Sequence, residues 1–214
     1  MPLAPSCRVV QRWRRAIALC VPVLVFAPYL AGAEPEPDLS WIDRQAVASR
    51  MVSYQTERAE RPQVVLIKLA IDVDAPPQAI WDVLTACQIA PEYVPNVQSC
   101  RKLEVLNNGR AELFVQVIKP VFFVPSFEHV FRLDYTPYTR IDVHRVSGPI
   151  AHLDGSWWLL PQPDDHTLLV YELALDPGFP IPRFLVRATL KRDLPKVLSA
   201  VRERAEAAAR AAHD

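Results

Sequence analysis

The stretch Pro182–Ala212, PRFLVRATLKRDLPKVLSAVRERAEAAARAA, decides the fold. Within it Val186, Leu190, Leu194, Val197 and Val201 recur at spacings of four, four, three and four, which places them on one stripe of a long helix. Pro195 interrupts the pattern, removes one backbone donor and is expected to kink the helix. On a helical wheel it falls opposite the stripe, so the bend is toward whatever the stripe covers. Arg187 lies beside the stripe. Either its stem rests on the core edge with its head in water, or its guanidinium points into a cavity.

The hundred residues before this helix read as strands, and a stripe of that length needs a sheet to bury it. Ile67, Leu69, Ile71 and Val73 alternate with Lys68, Ala70, Asp72 and Asp74 in a half-buried strand. Ala75-Pro76-Pro77 stops it, and Pro77 suits the first turn of a helix carrying Ile80, Leu84 and Cys87 on one face. A second short helix is opened by Pro91 and closed by Pro95-Asn96. Strands follow over Ser99–Leu106, Glu112–Val124, Phe127–Tyr135, Ile141–Val146, Ile150–Leu160 and Thr167–Leu175. Asn107-Asn108-Gly109 is a hairpin turn, Pro177-Gly178 ends the last strand, and Gly155 marks a bulge or sharp bend. Upstream, Ser40 is a candidate cap for a short helix bearing Trp41, Ile42, Val47 and Met51, and Met51–Thr56 can alternatively begin an edge strand.

The first 33 residues differ in kind. Arg8, Arg12, Arg14 and Arg15 precede an apolar run from Ala16 to Leu30, and Ala31-Gly32-Ala33 offers a small-residue cleavage site. This is a secretory signal pattern, expected to be cut after Ala33 and to deliver the chain to a bacterial periplasm. The alternative is a retained membrane anchor, although Pro22 and Pro28 break the run and it is short for a span. The remainder divides into a 34–62 extension and a 63–212 domain. The full chain carries 24 basic and 24 acidic residues. Losing four arginines and no acids leaves 20 against 24, a net charge of −4 that argues against nucleic-acid binding. Cys7 and Cys20 leave with the signal. Cys87 and Cys100 remain, either as a disulfide suited to an exported protein or as two buried thiols.

The order of parts and the wording of two segments resemble a known superfamily. "IDVDAPPQAIWDVLTACQIAPEYVPNVQSCRKLE" (71–104) and "LDPGFPIPRFLVRATLKRDLPKVLSAVRERAE" (175–206) are similar to the START-related polyketide cyclase/dehydrase and coenzyme Q-binding group, the SRPBCC superfamily. His144-Arg145-Val146-Ser147-Gly148 and Gly155-Ser156-Trp157 lie between them. The likeness runs from about Val64 to Ala207. It implies an α+β helix-grip fold, with a curved antiparallel sheet of about seven strands around the C-terminal helix and two short helices after the first strand. It also implies an apolar cavity between sheet and helix for a lipid or quinone-like molecule.

Polar candidates for that cavity are few. His129 shares a strand face with Phe131, and Tyr171 shares one with Leu169 and Leu173, so its hydroxyl needs a partner. Trp157 and Trp158 point to opposite faces, one toward the core and one outward or under the N-terminal segment. The ligand-binding set expected from the sequence is Tyr93 at the mouth with His129, Phe131, Trp157, Tyr171, Phe184, Arg187 and Leu190. Ser147 and Ser156 lack a nucleophile elbow and an evident base. There is no phosphate loop and no zinc pattern, so neither cofactor nor metal is expected. The sequence points to non-catalytic binding of a hydrophobic small molecule. The alternatives are a polyketide cyclase or dehydratase in the same cavity, and an interaction module whose cavity has collapsed. Phe179, Ile181 and Leu185 near Arg183, Arg192 and Lys196 also suggest transient contact with a membrane surface, unless those apolar residues pack on Trp41 and Met51.

Overall fold

The computed structural model describes residues 36–120 and 124–213. The basic and apolar start of the chain, with Cys7 and Cys20, lies outside the described residues, as do residues 121–123 of the expected Glu112–Val124 strand. In chain order the elements are α1 (Arg44–Ala48), β1 (Ser53–Arg58), β2 (Val65–Val73), α2 (Pro77–Thr85), α3 (Ala90–Tyr93), β3 (Val97–Leu106), β4 (Ala111–Ile118), β5 (Phe127–Thr136), β6 (Arg140–Ser147), β7 (His152–Pro161), β8 (Thr167–Asp176) and α4 (Arg183–His213). The strands form one antiparallel sheet in the order β1-β2-β8-β7-β6-β5-β4-β3. With α4 packed on β2 and α2, this is the α+β helix-grip arrangement.

The sheet has eight strands rather than about seven. The additional one is β1, from the 34–62 segment, and it pairs with β2 from Ser53↔Ala70 to Arg58↔Val65. Both readings of that segment therefore hold in part: a short helix forms, then an edge strand. The helix cap is Asp43, not Ser40. Its carboxylate accepts from the Gln45 and Ala46 amides at 3.0 Å, satisfying two of the donors a helix start leaves free. Asn107, Asn108 and Gly109 all take positive φ, which Asn and Gly tolerate best, and so turn β3 into β4.

Gly155 does not mark a bulge. It pairs in register with Val143 and Leu173. A Cβ there would stand 2.7 Å from the Glu172 carbonyl, so the glycine answers a close backbone approach. The stripe of α4 is buried as its spacing demands: Val186, Leu190, Val197 and Val201 are all under one-tenth exposed, and Leu198 and Ala205 join them. They meet Ile67, Leu69, Ile71, Leu169 and Leu173 in the main core. The helix is continuous through Pro195, which is half-buried. On the opposite face of the sheet, Trp158 packs with Ala70 and Val170 beneath Leu39, Trp41 and Ile42. Its inward neighbour Trp157 faces the core.

Candidate functional site: an apolar cavity in two lobes

α4 does not close on the sheet along its whole length. Between β3–β8 and the segment from α2 to Val94 lies a cavity of about 200 Å³. Its floor alternates out of the strands as the pleat requires: Phe114 of β4, Phe131 and Leu133 of β5, Ile141 and Val143 of β6, Trp157 of β7, and Tyr171 of β8. Leu194 and Val197 of α4 form its roof, with Leu84, Ala90 and Tyr93 at the side. The rings of Trp157 and Tyr171 stack with centroids 3.8 Å apart, and those of Phe114 and Phe131 lie 5.7 Å apart.

A second lobe of about 260 Å³ adjoins the first and shares Val94, Gln116 and Leu153 with it. Ile118, Phe127, His129 and Leu175 supply its floor, while Phe179 and Ile181 stand at the rim where the chain enters α4. Cys87 and Cys100 both face the first lobe and are joined as a disulfide, with Cα atoms 5.4 Å apart. The bond ties the turn between α2 and α3 to β3. The side wall of the cavity is thereby covalently fixed to its floor.

The polar groups on these walls are sparse. Among the described residues no carboxylate, lysine or arginine lines either lobe. Burial pushes the Tyr171 phenol well above its ordinary range, and among the described residues nothing hydrogen-bonds its hydroxyl. Tyr93 is raised by burial too, with Arg204 opposing. The Arg204 guanidinium lies 4.9 Å from the Tyr93 ring centroid, and the Tyr93 hydroxyl donates to the Val83 carbonyl at 3.4 Å. His129 is 1% exposed and neither ring nitrogen has a hydrogen-bond partner. Burial first, then the Arg145 guanidinium, hold its pKa down to about 4, opposed by a hydrogen bond to the Ser147 backbone too poor in geometry to satisfy the ring. Glu112, a carboxylate on the concave side of β4, lies outside both lobes. It is held by Lys102 at 2.5 Å and by the Tyr135 hydroxyl at 2.9 Å.

Residues 73–202, well over half the chain, match the family described as polyketide cyclase / dehydrase and lipid transport. The chain belongs to this family. Among solved structures, this family member is similar to the STAR-related lipid transfer protein of Xanthomonas axonopodis, at 17% identity and a TM-score of 0.63 over 72% of this chain and 93% of that one. It is also similar to the Zhui aromatase/cyclase of Streptomyces sp. R1128, at 18% identity and a TM-score of 0.57 over 67% of this chain and 94% of the other. For human STARD10 the values are 15% and 0.62, over 72% and 69%. At these identities the likeness is one of fold. No curated protein matches the sequence.

Within this family framework, the structure places five of the eight expected site residues on cavity walls. Tyr93, Phe131, Trp157 and Tyr171 line the first lobe, and His129 lines the second. Phe184 does not: it is 69% exposed, because it sits two residues, about 200° of helix, from buried Val186. Leu190 is buried in the main core against the sheet rather than beside open space. The gap under α4 begins one turn later, at Leu194 and Val197. Arg187 borders neither lobe; it is half-buried, with Nε enclosed and unpartnered. Gln116 is not among the expected residues, yet it touches both lobes. The sequence carries a signal for it: Gln116 shares a strand face with Phe114 and Ile118, a polar interruption in an inward row.

Proposed function

We propose that this protein binds and carries an uncharged hydrophobic molecule, of lipid or quinone-like type, without altering it. The observation behind this reading is the two-lobed apolar cavity under α4, lined by aromatic and aliphatic side chains with three isolated titratable groups. Two lobes of about 200 and 260 Å³ suit a small lipid or polycyclic ligand. A cyclase or dehydratase would need an acid and a base within hydrogen-bond reach of one substrate. Here no hydrogen bond links Tyr93, Tyr171 and His129, and Glu112 is already engaged by Lys102 and Tyr135. The family and its structural neighbours include both lipid transfer proteins and cyclases, and the sparse polar lining of the cavity supports the carriage reading.

The site of action we propose is the periplasm. The basic and apolar start of the sequence supports export, and the Cys87–Cys100 disulfide suits an oxidising compartment. We further propose that loading occurs at a membrane surface. Phe184 and Leu185, 69% and 46% exposed, project from the first turn of α4 beside the rim residues Phe179 and Ile181. Lys191, Arg192 and Lys196 follow on the same helix, giving apolar tips flanked by cations.

Native mass spectrometry of the protein purified from its own host, followed by organic extraction, tests carriage directly. A discrete lipid-sized adduct is expected, and Leu194→Trp, which fills the roof of the first lobe, should reduce it at least tenfold while leaving the circular dichroism spectrum unchanged. An empty wild-type protein that turns over an aromatic polyketide would overturn the reading.

A further inference from the structure

The second lobe carries a feature that apolar carriage alone leaves unexplained. His129 lies on its wall with both imidazole nitrogens enclosed and short of a hydrogen bond of good geometry, the Ser147 backbone offering only a weak one. An unpaired buried polar group is costly and uncommon, and an imidazole offers one donor and one acceptor when neutral. Directly across the ladder, Gln116 pairs with His129 in register. Its amide borders both lobes and makes no side-chain hydrogen bond among the described residues. Two polar side chains with unused capacity thus sit side by side where the lobes join, in a wall that is otherwise almost entirely hydrocarbon.

The backbone fixes how the imidazole is presented. Gly148, with φ of +113°, lies against the ring: a Cβ there would come within 3.3 Å of Nδ1 and 2.8 Å of the Glu128 carbonyl. Nδ1 is thereby covered by the β6–β7 turn. Arg145, whose charge acts on the ring, lines neither lobe. Its guanidinium donates to the carbonyls of Gly148 (2.9 Å) and Ile150, which locks the same turn.

We propose that His129 and Gln116 form the polar recognition point of the cavity, and that they select an apolar ligand whose head is uncharged and carries a hydroxyl or carbonyl group. This rests on the carriage reading above and adds the class of head group to it. A hydroxyl can donate to one partner and accept from the other, and a carbonyl can accept from both. A carboxylate or phosphate would be buried with no cation on the wall to meet it, which is strongly unfavourable. Burial also keeps His129 itself neutral at physiological pH, so it supplies hydrogen bonds and no charge.

The test compares four naphthalene probes that differ only in the head: 2-methylnaphthalene, 2-naphthol, 2-acetonaphthone and 2-naphthoate. Their affinities for delipidated wild-type protein, His129→Leu, His129→Gln and Gln116→Leu are measured by titration calorimetry at pH 7.5. Wild-type protein should prefer 2-naphthol and 2-acetonaphthone over 2-methylnaphthalene by about tenfold, the value of one net hydrogen bond, and should reject 2-naphthoate. His129→Leu should erase the preference without weakening 2-methylnaphthalene, whereas His129→Gln, which keeps a donor and an acceptor, should retain part of it. Gln116→Leu gives a second route to the same loss should the histidine variants fold poorly. Equal wild-type affinity for 2-naphthol and 2-methylnaphthalene, or a preference that survives in both Leu variants, overturns the recognition point while leaving carriage intact. Failure of wild-type protein to bind any probe removes both.

Discussion

Replacing His129 with leucine should make the fold resistant to acid. The imidazole has an ordinary pKa of 6.5 and a folded value of about 4. Between these values the unfolded chain holds a proton that the folded chain refuses, so stability falls as pH falls through this window and is fully present above it. At pH 7.5 the difference is negligible. At pH 4.5 the unfolded imidazole is almost fully protonated and the folded one mostly neutral, which corresponds to roughly 2–3 kcal/mol of lost stability. Urea unfolding of the oxidised protein at pH 7.5 and 4.5 reads this directly. The wild-type drop should exceed that of His129→Leu by roughly 2–3 kcal/mol, or about 5–10 °C in Tm for a chain of this size. Comparing the drops cancels the contributions of other groups. One of these is His166, whose pKa is raised mainly by its hydrogen bond to Asp72 at 3.0 Å. That pair acts in the opposite sense, with a contribution present below pH 6.5 and lost as pH rises through the folded value. The His129→Leu variant should also be more stable than wild type at pH 7.5 by about 1 kcal/mol, because two unpaired buried nitrogens are removed. Parallel pH profiles in the two proteins would refute the buried, uncharged imidazole on which the recognition point depends.

Two further outcomes follow from other parts of the fold. The Cys87–Cys100 bond closes a loop with a sequence separation of 13 residues, so the double Cys→Ser variant should lose about 3 kcal/mol on the chain-entropy model; an unchanged urea midpoint would mean that the loop is already fixed by packing. Phe184→Glu with Leu185→Glu should abolish flotation with phosphatidylglycerol vesicles at low salt and leave Tm within about 1 °C, since both side chains are exposed. Flotation that survives the double change would place any membrane contact elsewhere.

The parts of this structure that a reader of the sequence can see are those with a period. The α4 stripe and the alternation of β2, β5 and β8 are read directly, because one buried face forces a repeat of 3.6 or 2 residues. β1 resists a firm assignment because Ser53-Tyr-Gln-Thr-Glu-Arg58 has no apolar alternation: an edge strand has one neighbour and little to bury. The position of the cavity along α4 is not legible. Leu190 and Leu194 are the same residue type on the same stripe, and only the fit of the helix against the curved sheet decides which one meets core and which meets open space. Gln116 is legible only in part: its shared face with Phe114 and Ile118 can be read, but which face borders the lobes comes from the fold. The cysteines are legible as a pair but not as a bond, because bonding depends on the distance that the α2–α3 turn happens to set.

The physical meaning of the open space is clearest from what it costs. A void left in a packed interior destabilises a protein by about 24 cal/mol per Å³, so the first lobe, at about 200 Å³, would represent up to about 5 kcal/mol if it were closed and dry, and less to the extent that it opens to solvent. That is comparable with the whole net stability of many domains, and a few larger side chains at Ala90, Val143 or Val197 would abolish it. The penalty falls mainly on the empty state. A ligand that fills the lobes restores the missing contacts, and at a concentration of about 100 times its Kd it stabilises the fold by about 2.7 kcal/mol. Loading and folding are then linked, and an empty carrier is the less stable species. The covalent tie from Cys87 to Cys100 sits where that instability would otherwise be felt, on the side wall of the lobe, and holds the wall in place while the space beside it is vacant.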